Sequence, residues 1–339
     1  MPKSPRRLRR VAPGEPGIIR IRRGKGFAYR LPDGGYVTDP GTVQRIRELA
    51  IPPAWNDVWV CLDGRGHIQA WGVDSAGRRQ YVYHPRWKAQ RSRAKFDHMV
   101  QFAGILPQLR AAVQRDLGGD DLGRRRVLAC AVRLLDIGLF RAGGEEYAND
   151  HEHYGLATLL KTHVQIDRQG NLTFRFTAKS GKEQVRVIGD PDVLKVLRPL
   201  KRRRSGGPEL LAYRQGRDWV DVRASHINGY LEEQAGSGFT AKEFRTWHAT
   251  VFAALQLACA NDPQSATART RAIRQMYRDV AELLGNTPAV ARSAYVDPRV
   301  VDRFLRGETI RDSLDDLPCE HVTGGPLPSS VERAVVKLF

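Results

Sequence analysis

The chain has 339 residues, of which 41% are hydrophobic and 27% charged, and its 55 Lys and Arg outnumber 37 Asp and Glu for a formal net charge of +18. That length buries a core without staples, and the composition excludes a fibre, a disordered chain or a small disulfide scaffold. No run is apolar enough to span a membrane, and the basic N-terminus lacks the apolar stretch of a secretory signal, so a cytoplasmic protein is expected.

The charge is uneven: residues 1–95 hold 20 Lys or Arg against 7 Asp or Glu, whereas the remaining 244 are nearly balanced. A basic front section joined to a balanced one suits a polyanionic partner such as nucleic acid. Residues 1–16 are rich in Arg and Pro with no apolar period, and read as a flexible basic tail. Residues 17–38 alternate apolar and polar side chains around "PDGG", which predicts short strands about a tight turn. "TVQRIRELA", 42–50, predicts a short helix stopped by Pro52 and Pro53. "DVWVCLD" and "HIQAWGVD" across "GRG" predict a hairpin, and "RRQYVYH" a further strand. Residues 17–90 therefore read as a small β-rich domain, 91–320 as a mainly helical one, and 321–339 as a C-terminal tail.

At the junction, Arg86, Lys88, Arg91, Arg93 and Lys95 form a basic strip beside Tyr81, Tyr83 and Trp87, a mixture that can seat a phosphate backbone. At least one of Tyr81 and Tyr83 is expected in the core, on the premise that neighbouring strand positions face opposite ways. Residues 125–140 predict an apolar core helix ending near Gly143 and Gly144. A short helical piece at 155–163 leads into the hairpin "LTFRFTAKSGKEQVRVIG", with "AKSGK" as its turn. Helices follow near 190–200, 222–234, 241–260 and 264–284, and the basic loop "KRRRSGG" between two of them lies beside DNA or in water.

Cys61, Cys130, Cys259 and Cys319 are far apart, a spacing that predicts neither a disulfide framework nor a zinc site. His151 and His153 stand without further ligands, so no metal is expected. No phosphate-binding loop of the G-x-x-x-x-G-K-[ST] type occurs, so no nucleotide cofactor is expected.

Attack on a phosphodiester requires a nucleophile, a proton source for the departing oxygen, and cations around the non-bridging oxygens. Arg141 follows the apolar helix, and Arg245 follows a Thr240 and Glu243 capping box that fixes it in the early turns of a helix. Each guanidinium can grip two phosphate oxygens and keeps its charge. Lys179 at the hairpin turn can deliver a proton, with Lys182 as its rival. Asn286 can donate to a phosphate oxygen or cap the following helix. His248 can orient DNA or serve local packing. Tyr295 can fill a core or act as a nucleophile, and the latter needs cationic neighbours because an ordinary phenol, with a pKa of about 10, is neutral near pH 7.

Taken in order and separation, "RAGGEEY", "FTAKSGK", "KEFRTWHA" and "NTPAVARSAY" resemble the catalytic domain of the type IB DNA topoisomerases, in the short form of bacteria and poxviruses. "IPPAWNDVWVC" and "GRRQYVYHPRWKAQRSRAKFDHM" resemble that family's N-terminal clamp and connector, so the resemblance covers about residues 17–310. It implies an α+β architecture, a small β-rich N-terminal domain plus a mainly helical tyrosine-recombinase-like catalytic domain containing a β-hairpin. It also implies that Tyr295 forms a reversible 3'-phosphotyrosyl bond, that Arg141 and Arg245 stabilise the transition state, and that Lys179 protonates the leaving 5' oxygen. One strand then rotates about the other before religation, without ATP, divalent metal or other cofactor.

The implied partner is duplex DNA, with Lys242, His248 and Arg292 among the further contacts; a nucleoid-associated monomer is expected. Asn286 departs from the family's histidine, which implies retained cleavage with weaker assistance at that position. Site-specific tyrosine recombinases resemble the same domain, but their second arginine commonly follows a histidine by three residues, where this chain has Lys242. An architectural DNA-binding protein would account for the basic section and leave the Arg, Lys and Tyr set unexplained.

Overall fold

The computed structural model describes residues 7–144, 153–179, 181–260, 265–314, 319 and 327–339. The chain divides into two compact units, Met1–Phe96 and Asp97–Phe339. The first is β-rich and the second mainly helical, as the α+β expectation has it.

The first unit is an antiparallel five-stranded sheet in the order β2-β1-β3-β4-β5, built from β1 (Ile18–Arg23), β2 (Gly26–Arg30), β3 (Asn56–Val60), β4 (Ile68–Val73) and β5 (Arg79–Tyr83). The β1–β2 hairpin turns at Gly24 and Lys25, and "PDGG" forms the next bend, after which Tyr36 bridges back to Arg30. Helix α1 (Pro40–Glu48) starts where Asp39 accepts from the Thr42 amide at 2.7 Å and Pro40 presets the first turn. Its Ile46 packs with Ile18, Val58, Val60 and Ala70 on one face of the sheet.

The opposite face is also covered, and this corrects the reading of a flexible tail for residues 7–16, the part of it that lies within the described residues. Val11 is buried against Trp59, Cys61 and Ile68. The Arg9 amide donates to Arg65, the His67 amide donates back to Arg9, and the Trp59 indole donates to the Glu15 carbonyl at 2.9 Å. Burying one valine and pairing these backbone groups outweighs the polar composition of residues 7–16. Tyr81 and Tyr83 lie on this same face, both half-buried, with ring centroids 5.8 Å apart. Positions two apart in a strand share a face, so the premise that separated them fails.

Helix α2 (Pro85–Leu117) runs from the end of the sheet into the second unit, followed by α3 (Arg124–Gly138), whose residues from Val127 to Gly138 are buried except Arg133. A three-stranded antiparallel sheet of Val164–Ile166, Leu172–Thr177 and Glu183–Ile188 holds the predicted hairpin. Phe174 and Phe176 flank Phe140, with centroids 5.1 and 5.7 Å away. Residues 155–163 form two short 3-10 turns, Leu156–Thr158 and Lys161–His163. Four helices, Pro191–Arg202, Ala224–Ala235, Ala241–Cys259 and Ala266–Leu284, lie close to their predicted spans.

Two short strands, Ala212–Gln215 and Asp218–Asp221, were not foreseen. Within "KRRRSGG", Arg203 turns inward and donates to the carbonyls of Leu200, Gly206, Glu209 and Leu210, so this arginine ties the loop together.

Two further expectations are overturned. Residues 321–339 include a helix, Ser329–Val336, with Val331, Glu332, Ala334 and Val335 buried, because its apolar side chains share one face. Cys259 and Cys319 form a disulfide across 60 residues of sequence, with Cα atoms 5.6 Å apart, a pairing that spacing alone does not reveal. His151, one of the two histidines considered as metal ligands, lies outside the described residues. No described helix is long and apolar enough to cross a membrane, and the described residues contain no cluster of three or more His, Cys, Asp or Glu able to hold a metal ion.

Candidate active site

The site is assembled from four segments of the second unit. The first begins where α3 ends. Leu139 caps that helix in the left-handed region (φ 55°), which swings its carbonyl away from the helix axis. Residues 141–143 then run beside 155–157: the Leu156 amide donates to Arg141 and the Ala157 amide to Ala142, both at 2.8 Å. Gly143 and Gly155 touch backbone to backbone, and a Cβ at Gly155 would lie 2.4 Å from the Gly143 Cα. Gly143 and Gly155 therefore permit the close approach that fixes Arg141. Glu145, Glu146 and Tyr147 of the same motif lie outside the described residues.

The second segment is the Arg245 helix, Ala241–Cys259. Its capping box is formed as the sequence predicts: the Thr240 amide and hydroxyl both donate to Glu243, at 2.9 and 2.6 Å. Arg245 is only 4% exposed and donates from Nη1 to the Leu139 carbonyl and from Nη2 to the Leu284 carbonyl at 2.8 Å. Its Nε has no hydrogen-bond partner. Burial, and then the Arg141 charge, pull this guanidinium down to about 10.

The third segment is the C-terminal turn of the Ala266–Leu284 helix. Gly285 adopts φ +63°, and the Asn286 amide returns to the Ala281 carbonyl at 2.7 Å, closing the helix. Capping of the next turn falls to Thr287, whose hydroxyl accepts from the Val290 amide, with Pro288 in the first position. Asn286 is thus released from the capping role that its sequence position allowed. Its Oδ1 accepts from Arg141 Nη2 at 2.5 Å, and its Nδ2 is buried without a partner.

From there the chain enters one π-helical turn, Ala291–Tyr295. The Tyr295 carbonyl accepts from Thr250 on the Arg245 helix at 3.1 Å, so one helix sets both Arg245 and the tyrosine backbone. The phenol is half-buried, with the Arg245 guanidinium carbon 5.4 Å from the ring centroid. Burial alone would raise its pKa, but the charges of Arg245 and Arg141 outweigh that effect and hold it below the ordinary tyrosine value.

The structure therefore brings together Arg141, Arg245, Asn286 and Tyr295. Lys179 is exposed at the turn of the hairpin, outside these four segments, where the Ala178 amide donates to the Lys182 carbonyl at 3.0 Å; Ser180 of that turn lies outside the described residues. Lys182 is exposed at the same turn. Lys242 is exposed on the first turn of the Arg245 helix, and Arg292 is exposed three residues before Tyr295. In the first unit Arg86, Lys88, Arg91 and Arg93 are exposed on α2, while Lys95 is half-buried with its ammonium 3.9 Å from the Phe96 ring centroid.

His248 is corrected from a surface contact to an interior group. It is 4% exposed, and its Nε2 pairs with Asp136 Oδ1 at 2.8 Å. Asp136 also accepts from Arg110 at 2.7 and 2.9 Å, and Arg110 continues to Glu332, which accepts from the Trp247 indole at 2.9 Å. Three residues past Arg245, His248 stands about 60° round the helix from it, on the neighbouring face, where it meets Asp136.

One residue at the site escaped sequence reasoning. Arg186, on the strand Glu183–Ile188, bonds through Nη2 to the Leu283 carbonyl at 2.7 Å and to Gln184 Oε1 at 3.0 Å, and is pulled down by burial and by the neighbouring Arg141 charge. In the alternating "EQVRVI" it looks like any polar strand position, and no local signal marks it.

A helical unit that gathers two arginines, an asparagine amide and a cation-flanked tyrosine belongs with the enzymes of the tyrosine-recombinase fold. Residues 84–306 match the catalytic core of eukaryotic DNA topoisomerase I, and residues 26–74 match the N-terminal domain of bacterial DNA topoisomerase IB. Among relatives, DNA topoisomerase 1B of Acanthamoeba polyphaga mimivirus is 31% identical over 291 residues, covering 83% of this chain and 85% of its own. DNA topoisomerase 1 beta of Arabidopsis thaliana is 25% identical over 231 residues, 68% of this chain and 24% of the plant protein. DNA topoisomerase 1 of Daucus carota is 28% identical over 166 residues, 48% of this chain and 20% of its own. The chain belongs to the type IB DNA topoisomerases, with a bacterial-type N-terminal domain and a eukaryotic-type catalytic core.

Proposed function

We propose that this chain relaxes supercoiled duplex DNA by transient cleavage of one strand through a 3'-phosphotyrosyl intermediate. The observation that supports it most directly is the pair of guanidiniums, Arg141 and Arg245, converging on the Tyr295 phenol and lowering its pKa. The phenolic oxygen attacks the scissile phosphorus and displaces the 5' oxygen of the next nucleotide. Negative charge grows on the non-bridging oxygens as it does so, and fixed cations stabilise that charge more than the ground state. The unpartnered donors, Arg245 Nε and Asn286 Nδ2, supply hydrogen bonds to such oxygens. Lys179, at the hairpin turn, gives its proton to the leaving 5' oxygen, for which the hairpin tip would approach the phosphate on DNA binding.

The new ester conserves the energy of the broken linkage, so the freed 5' hydroxyl can attack it in reverse once the strand has rotated. The reaction needs no ATP and no metal for its balance. Exposed Arg86, Lys88, Arg91, Arg93, Lys242 and Arg292 would grip phosphates. On this reading the protein acts as a monomer on the chromosome, in the cytoplasm.

The test is plasmid relaxation in EDTA without ATP, alongside trapping of the covalent DNA adduct. Wild type should relax the plasmid and form the adduct. Tyr295→Phe should do neither, yet retain substantial DNA affinity. An adduct that survives the substitution would remove Tyr295 as the nucleophile.

A further inference from the structure

Three guanidiniums converge on one short stretch of chain. Arg186 Nη2 donates to the Leu283 carbonyl at 2.7 Å, Arg245 Nη2 to the Leu284 carbonyl at 2.8 Å, and Arg141 Nη2 to Asn286 Oδ1 at 2.5 Å. Leu283 and Leu284 end the Ala266–Leu284 helix, where carbonyls lack intrahelical partners and the helix dipole is negative. Two cations on consecutive carbonyls hold that end from two directions, since Arg186 comes from the hairpin sheet and Arg245 from a helix. Arg186 is itself pinned by Gln184 Oε1, whose amide stands 2.7 Å from where a Cβ on Gly285 would be. Gly285 is thus in close contact with the side chain that anchors Arg186.

The orientation of Asn286 depends on this turn. Its carboxamide has one bonded side, toward Arg141, and an unpartnered Nδ2. A side chain held by one hydrogen bond keeps its donor aimed only if its backbone is held as well. Arg141 and Arg245 are already assigned to the phosphate, and a group that binds substrate is free to shift when substrate arrives. Arg186 is the remaining cation, and the bonds it makes are to Leu283, Gln184 and Val185 oxygens, all neutral.

We propose that Arg186 is a positioning residue for DNA cleavage, fixing the Leu283–Asn286 turn so that the Asn286 amide donor stays aimed at the scissile phosphate. The assignment rests on the phosphotyrosyl reading above. Burial and the Arg141 charge weaken the hold of Arg186 on its proton, which shows that a cation is kept there against two unfavourable effects. Arg186 makes no contact with the reacting atoms in this scheme, and its action is carried by the backbone carbonyl of Leu283.

The experiment is single-turnover cleavage of a duplex oligonucleotide by wild type, Arg186→Met, Asn286→Ala and the double variant, with DNA affinity and unfolding measured for each. Methionine retains most of the stem volume and removes the fork. Arg186→Met should slow cleavage by about tenfold with little change in DNA affinity, the penalty of a misaimed donor. In the Asn286→Ala background the same substitution should slow it no further, because the donor it aims is already gone. Multiplying losses in the double variant, or a single variant with the wild-type rate, would overturn the assignment.

Should Arg186→Met fail to fold, Arg186→Lys serves in the same cycle; it keeps the charge but not the forked grip on Leu283 and Gln184, and the same non-additivity is expected. The Tyr295→Phe control separates the two levels. An adduct that persists there removes the phosphotyrosyl reading itself, whereas a Tyr295-dependent adduct with multiplying losses removes only the role of Arg186.

Discussion

Arg110 and Arg245 are both arginines set into the helical unit, yet one meets two carboxylates and the other meets two main-chain carbonyls. Around Arg110, burial would lower the guanidinium pKa, but Asp136 and Glu332 lift it well above its ordinary value. Asp136 in turn is held well below the carboxylate range, where burial is outweighed by the bonds from His248 and Arg110. Around Arg245, burial and a second guanidinium act together and the value falls. The first set pairs its arginine with two carboxylates and joins four helices. The second is a concentration of positive charge with two unused donors, a state that an incoming phosphodiester would relieve in the proposed reaction.

The largest effect expected from breaking this contrast is on catalysis. Arg245→Ala should reduce the single-turnover cleavage rate by about a thousandfold, at the upper end for loss of one charge-stabilising donor. Its stability loss should be smaller, about 1–3 kcal/mol, arising from the orphaned Leu139 and Leu284 carbonyls. A cleavage rate within tenfold of wild type would mean that the charge is structural.

Asp136→Asn should reverse the pattern. It leaves Arg110 and His248 against one lost charge and should cost about 3–5 kcal/mol in urea unfolding, as for breaking a buried ion pair. Cleavage, measured where the variant is folded, should change by less than tenfold. The pH dependence has a definite sign. A carboxylate depressed in the folded state stabilises it above the ordinary carboxylate pKa, near 4, and loses that contribution as the pH falls below it. Wild type should therefore lose more stability than Asp136→Asn on acidification.

The two arginine sets also differ in how far they could be read from the residues. Arg245 was legible because the Thr240 and Glu243 capping box fixes its place on a helix, and Tyr295 because its motif follows a Gly and Pro turn. Asp136 was not, since a single acid in an apolar helix says nothing about partners 26 and 112 residues away. The same limit hid the Cys259–Cys319 disulfide and the contact of Arg186 with Leu283, which spans 97 residues. Strands and helices follow local period and capping, so most elements stand near their predicted places. The covering of the sheet by Val11 and the docking of Ser329–Val336 depend on which apolar face is left open elsewhere, and a local pattern does not contain that.

The smallest expected effect sharpens the electrostatic half of the comparison. If the guanidiniums activate Tyr295 by favouring its phenolate, removing one should move the titration as well as slow the reaction. In wild type the phenol pKa lies below its ordinary value because Arg245 and Arg141 outweigh burial. Arg141→Gln keeps a donor for Asn286 Oδ1 but removes one of those charges, so burial gains weight and the phenol pKa rises. The rising limb of the cleavage rate against pH should then shift to higher pH than in wild type, while Asp136→Asn, which alters only the Arg110 set, should leave it in place. A limb that stays fixed in Arg141→Gln would mean that Arg141 contributes a hydrogen bond to the phosphate and no useful field at the nucleophile.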